Sequence, residues 1–187
     1  MIGLFIIAGR TATGKDTIAR YLEDKYGIKP IVSYATRPMR VGEVNGREHK
    51  FITADEMSKL KEVPEELLAY TKFPGTGYEY CAITSDLEDE CIYSYILNPD
   101  GIAWLQEHRK DVPLEIVGLD LDPDEQQRRA LLRGDDPDLF ESRRASEDEQ
   151  FTEFLRCAEN VVNTACSKQE VFSEIDKYVE ELRSRLV

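Results

Sequence analysis

Gly9-Arg10-Thr11-Ala12-Thr13-Gly14-Lys15-Asp16-Thr17 follows the apolar run of residues 2–8 and precedes a stretch with helical spacing of its apolar side chains. Strand, glycine-rich turn and helix in that order read as a phosphate-binding loop. Glycines at 9 and 14 let consecutive backbone N–H groups curl around a polyphosphate. The following helix turns its positive end to the same anion, and Lys15 can reach the β- and γ-phosphates. Such loops usually carry a Ser or Thr after the lysine to ligate Mg²⁺; here Asp16 stands at that position and Thr17 follows. A glycine-rich turn can also be punctuation between two elements. Strand, spacing, lysine and helix all agree on the phosphate reading, which makes nucleotide chemistry the leading expectation.

Around the loop, short apolar runs alternate with longer amphipathic stretches, the pattern of an α/β fold with a mainly parallel sheet. Strands are expected at residues 2–8, 31–34, 91–97, 114–121 and 160–163, and helices at 15–25, 101–109, 124–132, 140–157 and 169–186. In the last helix Val171, Ile175, Tyr178, Val179 and Leu182 recur at core-facing spacing. Asp122-Pro123-Asp124-Glu125 has the composition of a helix start, so Asp120 and Asp122 are read chiefly as turn and cap residues. Residues 35–90 are too long for a simple crossover and are expected to form a substrate-binding insertion.

The chain has 187 residues, 41% hydrophobic and 33% charged, which suits one domain with a substantial core. A net charge of −13 argues against broad binding to nucleic acid or to an anionic membrane, so an anionic ligand must meet a local basic pocket. Cys81, Cys91, Cys157 and Cys166 form no C-x-x-C pair, which suggests reduced thiols in a cytoplasmic protein and neither a zinc site nor a redox motif. The apolar start carries no basic residues and is far too short for a membrane span.

A second chemical cluster occupies residues 33–51, Ser-Tyr-Ala-Thr-Arg-Pro-Met-Arg-Val-Gly-Glu-Val-Asn-Gly-Arg-Glu-His-Lys-Phe. Arg37 and Arg40 can offer planar forks to a phosphate, a task for which arginine suits better than lysine. Solvated surface charge is the plainer alternative. Arg47 and Lys50 stand evenly between surface residues and neighbours that shape the field, and His49 alone would be structural.

The spacing Thr-Arg-x-x-Arg-x-Gly-Glu-x-x-Gly-x-Glu-x-x-Phe over residues 36–51 resembles the signature of the guanylate kinase family. Gly75-Thr76-Gly77-Tyr78, Arg129-Ala130-Leu131-Leu132-Arg133-Gly134, Ser142-Arg143-Arg144 and Val161-Val162-Asn163 extend the likeness over nearly the whole chain. The resemblance implies a P-loop nucleotide kinase fold: a five-stranded, mainly parallel sheet flanked by helices, with an inserted acceptor-binding subdomain and a lid. It places the core at 1–34 and 91–187, the insertion at about 35–90 and the lid at about 133–144. Gly9, Thr11, Ala12, Thr13, Gly14, Lys15, Asp16 and Thr17 would hold ATP, with Asp16 a candidate Mg²⁺ ligand. Ser33, Arg37, Arg40, His49, Tyr78, Tyr80 and Asn98 would lie at the acceptor. Lys15, Arg133 and Arg144 would carry catalysis, because phosphoryl transfer needs positioning and neutralised charge more than proton chemistry. Ion pairing on a helix surface is the alternative for Arg133, Arg143 and Arg144, and the more natural one for Arg143.

This chain also departs from the family pattern. His49 replaces a tyrosine, Ala69 a glutamate that accepts from guanine, Tyr80 a small hydroxyl residue and Asn98 an aspartate. The resemblance implies ATP-dependent transfer to a nucleoside monophosphate, GMP or dGMP first, by a monomer or homodimer whose partners are small nucleotides. Two alternatives remain open: a kinase for another phosphorylated acceptor, such as ribose 1,5-bisphosphate or another deoxynucleotide, and a catalytically silent binding module.

Overall fold

The computed structural model describes residues 2–73 and 76–186; Gly75, one of the matched positions, lies outside them. The chain opens with β1 (Gly3–Gly9), buried along its whole length, and continues through the glycine-rich loop into α1 (Lys15–Tyr26). A short β2 (Lys29–Pro30) is followed by β3 (Tyr34–Ala35), β4 (Lys50–Phe51), α2 (Ala54–Lys61), β5 (Leu67–Lys72) and β6 (Glu79–Ile83). The chain then returns as β7 (Ile92–Ile96), α3 (Pro99–His108), β8 (Leu114–Asp120), α4 (Pro123–Arg133), α5 (Pro137–Cys157), β9 (Asn160–Asn163) and α6 (Lys168–Ser184).

The main sheet has the order β2-β7-β1-β8-β9 with every pairing parallel. Its central strand explains the two-sided core. Successive side chains of a strand point to opposite faces, so Leu4, Ile6 and Ala8 join Tyr95, Ile102, Leu105 and Phe151, whereas Phe5 and Ile7 join Ile18, Leu22, Ile175 and Leu182. Of the expected α6 stripe, Val171, Ile175, Val179 and Leu182 are buried and Tyr178 packs at the margin. Each fully buried aliphatic side chain contributes about 1.5–3 kcal/mol. A smaller sheet, β4-β3-β6-β5, has its own cluster of Met57, Leu67 and Cys81.

The strand expected at residues 31–34 is a crossing between the two sheets. Lys29 and Pro30 pair with β7, and the Ile31 N–H donates to Ser94 O at 2.8 Å. By Tyr34 the chain pairs with β4 and β6. Pro30 has no N–H and lies at the sheet edge, where proline is tolerated and strands stay short. Helices α3 and α5 begin at Pro99 and Pro137, ahead of the expected residues 101 and 140. Asn98 and Asp136 cap them with side-chain oxygens, and proline suits the first helical turn.

Between α4 and α5 the turn is tight. Gly134 is left-handed with φ 85°, its N–H closes on Ala130 O and Leu131 O, and Asp136 then starts α5. Segment 133–144 is therefore a helix end, a turn and the opening turns of a 21-residue helix. Asp122 caps α4 by accepting from the N–H groups of Asp124 and Glu125. Among the described residues no helix is long and apolar enough to cross a membrane.

Candidate active site

The glycine-rich loop leaves the carboxyl end of the central strand, the edge at which parallel α/β sheets present ligand sites. Gly9 has no room for a side chain: a Cβ there would lie 2.7 Å from Thr13 Oγ1 and 3.0 Å from Leu119 O. Ala12 and Gly14 both have positive φ, 62° and 96°, which bends the loop back over the start of α1. No side chain caps that helix; the Thr17 N–H closes on Gly14 O at 3.0 Å, and among the described residues the N–H groups of Lys15 and Asp16 have no partner, which leaves them open to an anion. Asp16 and Thr17 are exposed there, while Thr13 is buried and donates to Arg10 O at 2.8 Å. Lys15 folds onto the loop and donates to the carbonyls of Gly9 and Arg10, both at 2.7 Å. Burial lowers the Lys15 pKa; Glu147 and Asp16 oppose that shift, and Arg133 adds to it. The fold thus brings Lys15 and Arg133 into one electrostatic neighbourhood.

Helix α5 grips the same loop. The Thr11 N–H donates to Glu147 Oε2 at 2.8 Å. Arg10 donates to Asp148 Oδ1 at 3.1 Å, to Asp148 O at 3.2 Å and to Thr152 Oγ1 at 2.5 Å. On the other flank a cavity of about 260 Å³ is bordered by Thr13, Gly14, Thr17, Arg128, Arg129 and Cys166, room beside the loop for the rest of a nucleotide.

The second cluster lies on the smaller sheet. Arg37 is buried, with its fork closed on Glu43: Nη1 to Oε2 at 2.7 Å and Nη2 to Oε1 at 2.6 Å. Glu43 also accepts the Arg40 N–H at 2.7 Å. These contacts hold the Glu43 carboxyl down at about 2, with Arg37 the main cause. Arg40, by contrast, is exposed and has no ion-pair partner among the described residues. Desolvation and then the like charges of Arg37 and Arg143 press its guanidinium below the usual range. Ser33 Oγ and His49 Nδ1 share a hydrogen bond of 2.9 Å. Burial, then the charge of Arg37, lowers the His49 pKa, which favours the neutral ring. The His49 and Phe73 rings meet Tyr80 edge-on at 5.5 and 5.2 Å. Tyr78 is half-buried and its carbonyl accepts from the Phe73 N–H. Asn98 is committed to capping, accepting from the Gly101 N–H at 3.0 Å.

In segment 133–144, Arg133 pairs with Asp135, and Arg144 pairs with Glu141 at 2.7 Å. Arg143, read from the sequence as the surface residue of the three, has no ion-pair partner among the described residues and acts on both Arg40 and Asp135.

Residues 2–89 match the family model described as guanylate kinase. The similarity is to guanylate kinases. The guanylate kinase of Protochlamydia amoebophila is 37% identical over 109 residues, 56% of this chain and 54% of that protein. That of Gloeobacter violaceus is 36% identical over 76 residues, 40% of this chain and 37% of that protein. The chain thus spans about half or less of the curated relatives it matches. The crystal structure of guanylate kinase from Anaplasma phagocytophilum superposes with a TM-score of 0.69 at 17% identity, covering 99% of this chain and 86% of that one. The two chains share a fold: a parallel five-stranded sheet flanked by helices.

Against the family pattern, position 69 holds a fully buried alanine opposite Ala82. Of the nearby glutamates, Glu79 is already engaged by other side chains. Glu79 pairs with Lys61 at 2.6 Å and accepts from the Tyr70 hydroxyl, and strand alternation turns it away from Tyr80. Glu65 and Glu66 are exposed in a 3-10 turn before β5. The sequence reading missed the grip of Glu147, Asp148 and Thr152. In a helix as highly charged as α5, two more acids read as a solvated face, and the spacing does not tell which turn meets the loop.

Proposed function

We propose that this chain catalyses ATP-dependent phosphoryl transfer to a nucleoside monophosphate, with GMP or dGMP the first acceptor class. The observation that carries the reading is the loop itself: positive φ at Ala12 and Gly14, an uncapped helix start and Lys15 together make a polyphosphate cradle. The match of residues 2–89 to guanylate kinases supports the acceptor class. Gly9, Thr11, Ala12, Thr13, Gly14, Lys15 and Thr17 would take the ATP phosphates, with the nucleoside in the adjoining cavity. Asp16 and Thr17 supply a hard oxygen donor set of the kind that, together with phosphates, suits Mg²⁺. Bound there, Mg²⁺ would neutralise charge on the phosphates. Glu43 keeps the Arg37 fork preorganised, Arg40 offers an unpaired fork beside it, and Ser33, His49, Tyr78 and Tyr80 complete the acceptor side. Lys15, Arg133 and Arg144 would act on the transferring group, Arg133 and Arg144 after leaving Asp135 and Glu141. An arginine placed on such a group is worth about 10³–10⁵ in rate in related chemistry.

In this reading the core comprises residues 1–34 and 91–187, the acceptor insertion about 35–90 and the lid about 133–144. The partners are small nucleotides, not nucleic acid or membrane, and the working form is a monomer or homodimer. The free thiols of Cys81, Cys91, Cys157 and Cys166 support a cytoplasmic setting. A second acceptor class is favoured by Ala69 and by the engaged side chain of Glu79, which leave guanine's donor edge without the usual glutamate, and by Asn98, an aspartate in the family pattern, which is committed to capping α3. It comprises ribose 1,5-bisphosphate and other deoxynucleotides.

Product formation with MgATP and a panel of GMP, dGMP, AMP, dTMP, CMP, UMP and ribose 1,5-bisphosphate tests both readings. Lys15→Ala is expected to lower kcat by about 10²–10³ with little change in thermal stability. Turnover of GMP or dGMP supports the first reading, turnover of another acceptor the second. Near-normal turnover by Lys15→Ala would remove the lysine from the mechanism, and no transfer to any acceptor would favour a silent binding module.

A further inference from the structure

Glu147 places a negative charge among groups otherwise arranged for anions. Its carboxylate accepts the Thr11 N–H at 2.8 Å and favours the charged form of Lys15. Lys15 meanwhile donates to the carbonyls of Gly9 and Arg10 and is turned in upon the loop. The neighbouring contacts of Arg10 with Asp148 and Thr152 fix the same stretch of α5 against the loop. Glu147 also lies about one helical turn beyond Arg143 and Arg144 on a continuous helix. Merely holding the loop would need only a neutral acceptor for the Thr11 N–H. A full negative charge beside the loop lysine does more, because it competes with any anion that enters.

We propose that Glu147 is a positioning residue that occupies the anion-binding loop in the absence of polyphosphate, so that the terminal phosphate of the donor must displace it. The inference rests on the phosphate-loop reading. It assigns Glu147 a part in donor discrimination: both a diphosphate and a triphosphate bring an anion to Lys15, but only the terminal phosphate of the triphosphate extends to the Thr11 N–H and displaces the carboxylate from it. Displacement also releases a contact of α5 next to the lid arginines, which couples donor binding to movement of that helix. Lys15 then exchanges its two backbone carbonyls for phosphate oxygens, and the Thr11 N–H exchanges its carboxylate for one.

Glu147→Gln retains an oxygen able to accept the Thr11 N–H and removes only the charge. Isothermal titration calorimetry with Mg²⁺ should show the Kd for ATP falling by about tenfold in this variant, with a much smaller change for ADP. Glu153→Gln is the matched control. It lies on the same helix, paired with Arg156 in an exposed ion pair, and removes the same net charge. It should leave both constants where they are. Equal shifts for ATP and ADP, the same tightening in Glu153→Gln, or weaker ATP binding in Glu147→Gln would each overturn the proposal. Failure of the unaltered chain to bind ATP at all, with Lys15→Ala indistinguishable from it, would instead overturn the phosphate-loop reading.

Discussion

At the scale of single residues, the site depends on charges whose partners are already chosen. Arg37 is paired with Glu43, which fixes the orientation of its fork, while Arg40 nearby has no ion-pair partner among the described residues. His49 gives this arrangement a pH signature. Burial and Arg37 lower its pKa in the folded chain, so just below the ordinary histidine range the unfolded chain binds more protons. The contribution of His49 is therefore present above about pH 6.5 and is lost as pH falls through that value. His49→Gln should flatten the fall in urea midpoint between about pH 7.5 and about pH 5.5 relative to the unaltered chain; parallel profiles would show that the imidazole is not responsible. The candidate loop residues could be named from sequence because glycine spacing and a lysine suffice to define a phosphate cradle. Glu147 could not, because its role depends on which turn of α5 touches Thr11. The sequence separates Arg144, a lid match, from Arg143, a surface ion-pair candidate, whereas in the folded structure it is Arg144 that pairs with Glu141 and Arg143 that lacks an ion-pair partner among the described residues.

At the scale of elements, periodicity carried most of the information. The alternation in β1 fixes which side chains meet α1 and α6 and which meet α3, and the α6 stripe fixes the face that helix buries. Residues 31–34 show where the method fails. A short apolar run looks the same whether it continues a strand or carries the chain across to another sheet, and here Pro30 and the edge position shorten β2. The start of α5 was misread by a few residues because the cap Asp136 and Pro137 lie before the first apolar position of the helix. That cap is testable. Asp136 accepts the Leu139 N–H at 2.9 Å, and Asp136→Ala should cost about 1 kcal/mol. Hydrogen exchange should show the loss concentrated in the first turn of α5, leaving protection in β1 and β8 unchanged. A uniform loss across the molecule would mean that the cap acts on global stability and not on this turn.

For the molecule as a whole, the chain crosses between the two sheets at residues 31–34 and returns into β7, and the smaller sheet packs into the core of the larger one through Leu68, Ala69 and Ala82. The phosphate loop belongs to the larger sheet and Arg37 and Arg40 to the smaller one, so under the proposed function donor and acceptor bound together are expected to close the cleft between the two clusters. Small-angle scattering should therefore give a smaller radius of gyration with a non-hydrolysable ATP analogue and the acceptor together than with either alone. An unchanged radius would mean that the cleft is already closed. The overall charge of −13 makes a local cationic cluster the more selective, because the net field of the molecule repels anions. Ala12 has a further consequence at this scale. A non-glycine residue at φ 62° opposes its own backbone by about 1–2 kcal/mol. That cost is borne next to two residues, Arg10 and Thr11, which α5 ties down from 138 and 136 positions away in the sequence, so the shape of the loop depends on a helix that sequence distance would not connect to it.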